Sequence, residues 1–492
     1  MKPTLDTETA AGTAETPHRD HRWFALIVLC LGVLMIVLDT TIVNVALPSI
    51  KSDLKFSDTS LAWVVNAYML TFGGFLLLGG RLGDLYGHRR FFLFGITLFT
   101  LASLACGLAA SQAFLITARA IQGLGGATVT AVALSLIMDL FSEPADRAKA
   151  MGVYGFVCAG GGSIGVLLGG LLTGTLDWHW IFLVNLPIGV VVFALSVWLL
   201  PVGHKGGASR NLDIAGAVTV TSSIMLATYA IVNGNETGWT SLQTLGLLGA
   251  AIVLLGTFLF IESRVASPLM PLGLFRLRNV AIANIVGVFW AAAMFAWFFL
   301  TALYMQLVLG YAPMQVGLAF LPSNLIMAAF SLGLSAKIVM RFGIRLPLAV
   351  GLLLAAAGLL LFARVPVHGT LVADVLPGMV LLGLGAGMAF NPVLMAAMSE
   401  VGPEDSGLAS GVVNTSFMMG GSLGLALLAS LAASRAASGA AEGLDHLAAL
   451  ASGYRVAFFV GALFAALAAV IGGALLRTRD ALRPSEAGAS MH

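Results

Sequence analysis

Gly161-Gly162-Ser163-Ile164-Gly165 returns 259 residues later as Gly420-Gly421-Ser422-Leu423-Gly424, inside an equally apolar stretch. In the same register Pro144-Ala145-Asp146 meets Pro403-Glu404-Asp405, and Gly152-Val153 meets Gly411-Val412. At a shift of 260, Gly123-Leu124-Gly125 meets Gly383-Leu384-Gly385. Apolar helices rich in Gly, Ala and Leu resemble one another by composition alone. The polar Pro-x-Asp turn matches as well, however, so the chain reads as an internal duplication.

Around these blocks the solvent of the chain is lipid. Hydrophobic residues make up 59% of 492 positions and charged residues 10%, against roughly 25% charged in soluble domains. Apolar runs of about 20 residues, enough to span a bilayer, recur along the whole length. They fall near 23–48, 59–80, 91–110, 113–140, 147–174, 179–200, 213–232, 243–262, 280–309, 314–340, 345–363, 372–399, 405–434 and 454–476. The fold class is an all-α polytopic membrane protein with fourteen transmembrane helices arranged six, two and six. The expected organisation is a cytoplasmic tail (1–22), a six-helix bundle (23–200), a linker with two extra spans (201–279), a second six-helix bundle (280–477) and a cytoplasmic tail (478–492).

An even span count puts both termini on one side. With that side cytoplasmic, 19 of the 25 Lys and Arg residues lie in or beside cytoplasmic segments. Five lie outside (Lys51, Lys55, Arg364, Arg435, Arg455), and Arg119 is within a helix. This is the positive-inside distribution. The repeat shift covers eight helices, so the two copies share one orientation, the parallel arrangement that places a substrate site between two rocking halves.

Several classes drop out. A net charge of +2, with basic residues scattered, gives no footprint for nucleic acid. Cys30, Cys106 and Cys158 sit in apolar runs without metal-ligand spacing. No phosphate loop, zinc pair or nucleophile elbow occurs, so an enzyme is not expected. The polar first 22 residues and the long apolar run after Trp23 argue against a cleaved signal peptide.

Between the second and third spans the chain reads Gly80-Arg81-Leu82-Gly83-Asp84-Leu85-Tyr86-Gly87-His88-Arg89-Arg90. This resembles the signature loop of the major facilitator superfamily. Gly80 and Gly87 permit a tight turn, and Asp84, Arg89 and Arg90 can make and break ion pairs as bundles rock. The second copy is degenerate here, with Lys337 where the acid would be. Leu38-Asp39-Thr40-Thr41-Ile42-Val43-Asn44-Val45-Ala46-Leu47-Pro48, together with Arg119-Ala120-Ile121-Gln122-Gly123 and the pair Trp178-His179-Trp180-Ile181-Phe182 and Asn185-Leu186-Pro187-Ile188-Gly189, is similar to the fourteen-helix drug:proton antiporter branch, the EmrB/QacA type. The resemblance implies a cofactor-free transporter driven by the proton gradient. One position departs: where the branch's fifth-helix signature has Gly-Pro, Gly165 is followed by Val166. Gly161, Gly165, Gly169 and Gly170 still offer small residues for close helix packing.

Asp39 is the one carboxylate placed well inside a span, where a charge costs several kcal/mol unless paired or hydrated. It lies roughly 13 Å from an outer helix end at Pro48, and Arg119 lies roughly 9 Å from the outer start of its antiparallel helix. The two are therefore expected to meet, as the proton-coupling pair or as a purely structural link between helices. Asn66, Tyr68, Gln122 and Asn185 are polar at membrane depth. With Trp290, Phe295, Phe298, Met305, Asn391 and Asn414 they are candidates for the substrate cavity, although interhelical glue and packing compete for each.

The expected function is proton-coupled export of amphipathic or cationic compounds across a bacterial inner membrane. A dedicated exporter of one antibiotic, siderophore or lipid is the alternative, and a non-transporting sensor or scaffold a remote one. Small amphipathic substrates, protons and lipid are the expected partners; the chain is compatible with a periplasmic adaptor and with function as a monomer. A single deep acid favours monovalent or neutral substrates over dications. The segment from Ser434 to Tyr454 reads equally as a capping helix or hairpin and as an Ala/Gly-rich loop.

Overall fold

The computed structural model describes residues 19–477 except 58, 142, 201–212, 266–267, 331–333, 399 and 402–405. The terminal tails, most of the charged linker after Leu200 and the repeat's Pro403-Glu404-Asp405 turn lie outside the described residues, as do the side chains of Asp84 and Cys158.

Without water in a bilayer core, each span must satisfy its own backbone, and among the described residues the structure is all helical. The first half contains α1 (Arg19–Leu54), α2 (Trp63–Tyr86), α3 (His88–Gly107), α4 (Gln112–Leu140), α5 (Pro144–Thr175), the short α6 (Trp180–Leu183) and α7 (Asn185–Leu199). Next comes the hairpin α8 (Ile214–Thr237) and α9 (Leu242–Arg264). The second half contains α10 (Arg278–Leu303), α11 (Pro313–Ala329), α12 (Ser335–Phe342), α13 (Arg345–Phe362), α14 (Leu376–Met398), α15 (Ser406–Ala441) and α16 (His446–Leu475). Twelve helices among the described residues are long and apolar enough to cross a membrane; Ile164–Thr175 and Pro313–Ala329 are shorter apolar helices.

Several ends differ from the sequence reading. α1 runs through Pro48 to Leu54. A proline inside a helix removes one backbone bond, and here the final turns are held from outside, where Trp178 Nε1 donates to Asp53 at 3.0 Å. The sixth span is divided into α6 and α7. The Ser434–Tyr454 segment is mostly helix: α15 continues to Ala441, Gly443 turns the chain at φ 89°, and Asp445 caps α16 by accepting the Ala448 N–H at 2.6 Å.

The two halves repeat one packing pattern. In the first, α4 packs on α2 and α3, α1 on α5, and α7 on α1 and α3; in the second, α14 packs on α11 and α13, α10 on α15, and α16 on α10 and α13. The halves meet twice in reciprocal fashion, α5 on α11 and α2 on α15. Glycines set these distances: a Cβ on Gly170 would sit 2.8 Å from the Pro313 carbonyl oxygen, and one on Gly73 2.7 Å from Met418 Cβ. Such close approach is the main source of helix association where lipid replaces water.

α8 wedges against α2 and α15, so it touches both halves, whereas α9 packs chiefly on α8. Asn235 pins the far end of α8 by donating to the Ser430 carbonyl at 2.7 Å. The outward face of α9 carries exposed Leu242, Ile252, Val253 and Phe260.

Candidate functional site

Five helices of the first half converge on one carboxylate. Asp39 is fully buried at mid-length of α1. Arg119 on α4, 1% exposed, donates from Nη1 to Asp39 Oδ2 and at 2.7 Å to Gln122 Oε1, and from Nε to the Val64 carbonyl of α2 at 3.0 Å. Gln122, one turn further along α4, donates from Nε2 to Asp39 Oδ1 and to Ser103 Oγ of α3, both at 2.7 Å. Asn185, the first residue of α7, donates to Asp39 Oδ1 at 3.2 Å and to Ser103 Oγ at 3.4 Å. Cys106 places its Sγ 3.7 Å from Gln122 Oε1. The Arg119 guanidinium lies over the Tyr68 ring at 4.4 Å and the Phe182 ring at 5.6 Å from their centroids, an added cation–π attraction.

The pair is neutral overall and each charge has several hydrogen-bond partners, the condition under which a buried ion pair is tolerated. Removing either partner leaves an uncompensated charge in apolar surroundings.

α5 supports the site from behind. A Cβ on Gly161 would lie 2.9 Å from Leu34 Cδ1, on Gly165 2.9 Å from the Leu38 carbonyl oxygen and on Gly169 2.6 Å from the Ile42 carbonyl oxygen. These residues bracket Asp39, so the glycine stripe fixes the stretch of α1 that carries the acid. Val166 leaves α5 one continuous helix from Pro144 to Thr175 and is itself buried.

Of the other candidates, Tyr68 and Asn66 are buried on α2. Among the described residues, the Tyr68 hydroxyl and both Asn66 amide atoms have no hydrogen-bond partner. Trp290 and Met305 are buried in the packed second half. Phe295 meets Phe417 of α15 edge-on at 5.8 Å, whereas Phe298 stacks on Phe320 of α11 at 5.4 Å. The aromatic residues of α10 thus point to different neighbours. Asn391 and Asn414 are half-buried on α14 and α15.

In the signature loop Gly87 joins α2 to α3 at φ 99°, a conformation that favours glycine. Gly80 lies along α4, its Cβ position 3.7 Å from Ala131. Arg89 donates to the Val197 carbonyl near the end of α7, and Arg90 is exposed. Sequence reading missed Ser103, whose hydroxyl joins two amides, and the ion-pair contact of His88 with Asp139 at 3.0 Å. A single serine in an apolar helix carries no pattern that marks it.

Two reciprocally packed helical halves, the first of which encloses a buried ion pair, define a polytopic membrane transporter rather than an enzyme. The family model for the Major Facilitator Superfamily matches residues 29–425, and the chain belongs to that family. It is 38% identical to the puromycin resistance protein pur8 of Streptomyces alboniger over 99% of this chain and 97% of that protein. It is also 38% identical to the multidrug resistance protein Stp of Mycobacterium tuberculosis, over 82% of this chain and 75% of that protein. A bacterial homologue of the human lysosomal transporter Spinster, solved in an inward-facing conformation, shares the fold with a TM-score of 0.65 at 18% identity, covering 93% of this chain and 97% of that one. The chain is thus a multi-pass membrane transporter of that superfamily.

Proposed function

We propose that the protein is a drug:proton antiporter that exports amphipathic or cationic compounds by alternating access, with Asp39 as its proton site. The observation that carries this reading is the wholly buried Asp39 carboxylate held by Arg119, Gln122 and Asn185. An incoming proton neutralises Asp39 and frees Arg119; a cationic substrate competes for the same carboxylate. Exchange follows because one carboxylate does not serve both at once. Each charge carried inward along the membrane potential supplies about 2.3 kcal/mol per 100 mV.

In this reading the chain has fourteen spans, α6 with α7 and α11 with α12 each forming one. Residues 23–200 and 280–477 are the rocking bundles, and 201–279 contributes the peripheral hairpin. Both termini are cytoplasmic, the membrane is the bacterial inner membrane, and the monomer is the working unit, with or without a periplasmic adaptor. Asp84, Arg89 and Arg90, with Gly80 and Gly87, form the gating loop. The substrate meets Asn66 and Tyr68 from the first half and Asn391 and Asn414 from the second, with Trp290, Phe295, Phe298 and Met305 shaping the wall behind them.

The test is ethidium flux driven by a pH gradient in proteoliposomes, with wild type and Asp39→Asn side by side. Coupled flux is expected in the wild type and absent in the variant; full flux in Asp39→Asn sinks the assignment. A second reading, export of a single antibiotic, is favoured by the similarity to a puromycin resistance protein. A pump-deficient host separates the two. Broad resistance to ethidium and quaternary ammonium antiseptics, weaker against dicationic biguanides, fits the first, and protection against one antibiotic alone fits the second.

A further inference from the structure

Asp213 and Glu262 are buried acids that lie outside the site described above and have no role in it. Asp213 caps α8 by accepting the Gly216 N–H at 2.7 Å through Oδ1, and Glu262, in the last turn of α9, accepts the Met270 N–H at 3.1 Å through Oε2. Both residues are 4% exposed, and among the described residues the remaining oxygen of each, Asp213 Oδ2 and Glu262 Oε1, has no hydrogen-bond donor. Both oxygens crowd the Cβ position of Gly216, Glu262 Oε1 lying 2.9 Å from it, and the two carboxyls are within hydrogen-bonding reach of one another.

Two ionised carboxylates only accept hydrogen bonds, so a contact between them is repulsive unless a proton or a cation intervenes. The cationic groups on the surrounding elements, among the described residues, are Arg81 on α2, Arg264 on α9, Arg276 in the turn before α10 and Arg278 at its start, and the further acid there, Glu400, accepts the Asn279 N–H at 3.0 Å. Arg264 lies over Phe260, Arg278 donates to the Leu475 carbonyl, and none of the four donates to either acid. α15, also packed on α8, brings no titratable side chain to this end.

We propose that Asp213 and Glu262 share one proton, forming a second proton site that fastens the α8–α9 hairpin to the chain entering α10. The fastening reaches both halves of the transporter. Leu78 of α2, Ala217 of α8 and Leu269 beside the Glu262-bound amide form one apolar cluster, and α8 also packs on α15. Loss of the proton sets two negative charges against each other in a buried contact, which loosens this end of the wedge. The proposal does not depend on the antiport reading, because it concerns a different pair of acids.

The experiment is infrared difference spectroscopy and thermal unfolding of the full-length purified protein between about pH 6 and about pH 9. A protonated-carboxyl C=O band is expected at the lower pH. It persists in Asp39→Asn and is missing in Glu262→Gln. The wild-type Tm is expected to fall as pH rises through loss of the shared proton, whereas Glu262→Gln, which carries its own N–H toward Asp213, keeps a flat profile. If Glu262→Gln does not fold, Asp213→Asn, which retains a capping side chain, removes the band instead. Absence of the band from the wild type, parallel Tm profiles, or stability set by added Na⁺ or Mg²⁺ rather than by pH overturns the proposal.

Discussion

The two halves carry one scaffold and opposite interiors. Glycine contacts fix their equivalence: Gly161 and Gly165 pack on Leu34 and Leu38 of α1, as Gly420 and Gly424 pack on Val288 and Ala292 of α10. In the same way Gly125 packs on Phe99 of α3 and Gly385 on Ala355 of α13. In this register Asp39 corresponds to Ala293, Arg119 to Met379, Gln122 to Leu382 and Ser103 to Leu359, all four counterparts being buried. Where the first half holds an ion pair on a hydrogen-bonded frame, the second is filled by hydrocarbon, with Phe362 and Phe458 5.2 Å apart nearby. The duplicated backbone tolerates either filling, because close glycine packing rather than the buried charge holds each bundle together.

The most damaging test of this contrast removes one charge. Arg119→Met alone leaves Asp39 buried and unpaired, at a cost of about 3–5 kcal/mol, and is expected to lower the yield of folded protein sharply in size-exclusion profiles. Giving the first half all four apolar counterparts, Asp39→Ala, Ser103→Leu, Arg119→Met and Gln122→Leu together, is expected to recover much of that yield while pH-driven flux stays absent. A quadruple variant no better folded than Arg119→Met shows that the ion pair is structural after all.

A smaller effect comes from the glycines. Gly165→Ala and Gly424→Ala both press a methyl against a facing backbone and are each expected to cost about 1–3 kcal/mol, read as a drop in Tm. Gly165→Ala shifts the segment of α1 that carries Asp39, so it alone is expected to alter the pH dependence of transport. Equal changes in both variants contradict the assignment of coupling to the first half.

The smallest effect lies at the α15–α16 turn. Arg435 donates to Glu442 at 2.8 Å, and this hydrogen bond and the positive charge behind it hold the Glu442 carboxyl below its ordinary value. A depressed acid stabilises the fold above its unfolded-state pKa and loses that contribution as pH falls through the folded one. Because the pair is exposed, Glu442→Gln is expected to leave the neutral-pH Tm almost unchanged. A large shift makes this turn a structural anchor of the second half.

Much of this was legible without coordinates, for reasons specific to particular residues. Asp39 and Arg119 could be matched because depth along antiparallel helices follows from residue count, and an acid in an apolar run calls for a partner. Gln122 and Asn185 stood out as polar groups at that depth. Ser103 did not, because its role depends on which face of α3 meets α4 and α7. Asp213 and Glu262 were equally silent, lying 49 residues apart at the two ends of a hairpin. The extension of α1 past Pro48 depended on a contact between Trp178 and Asp53, which one-dimensional reading does not supply.

The sequence by itself determined the membrane class, the duplication and the lone deep acid, because apolar length, repeat register and the cost of burying charge are properties of the chain in order. Only the tertiary structure decided that five helices close on Asp39, that the equivalent place in the second copy is packed with hydrocarbon, and that two distant acids share a contact. Each of those depends on helix rotation and crossing, which are set by side chains from other helices.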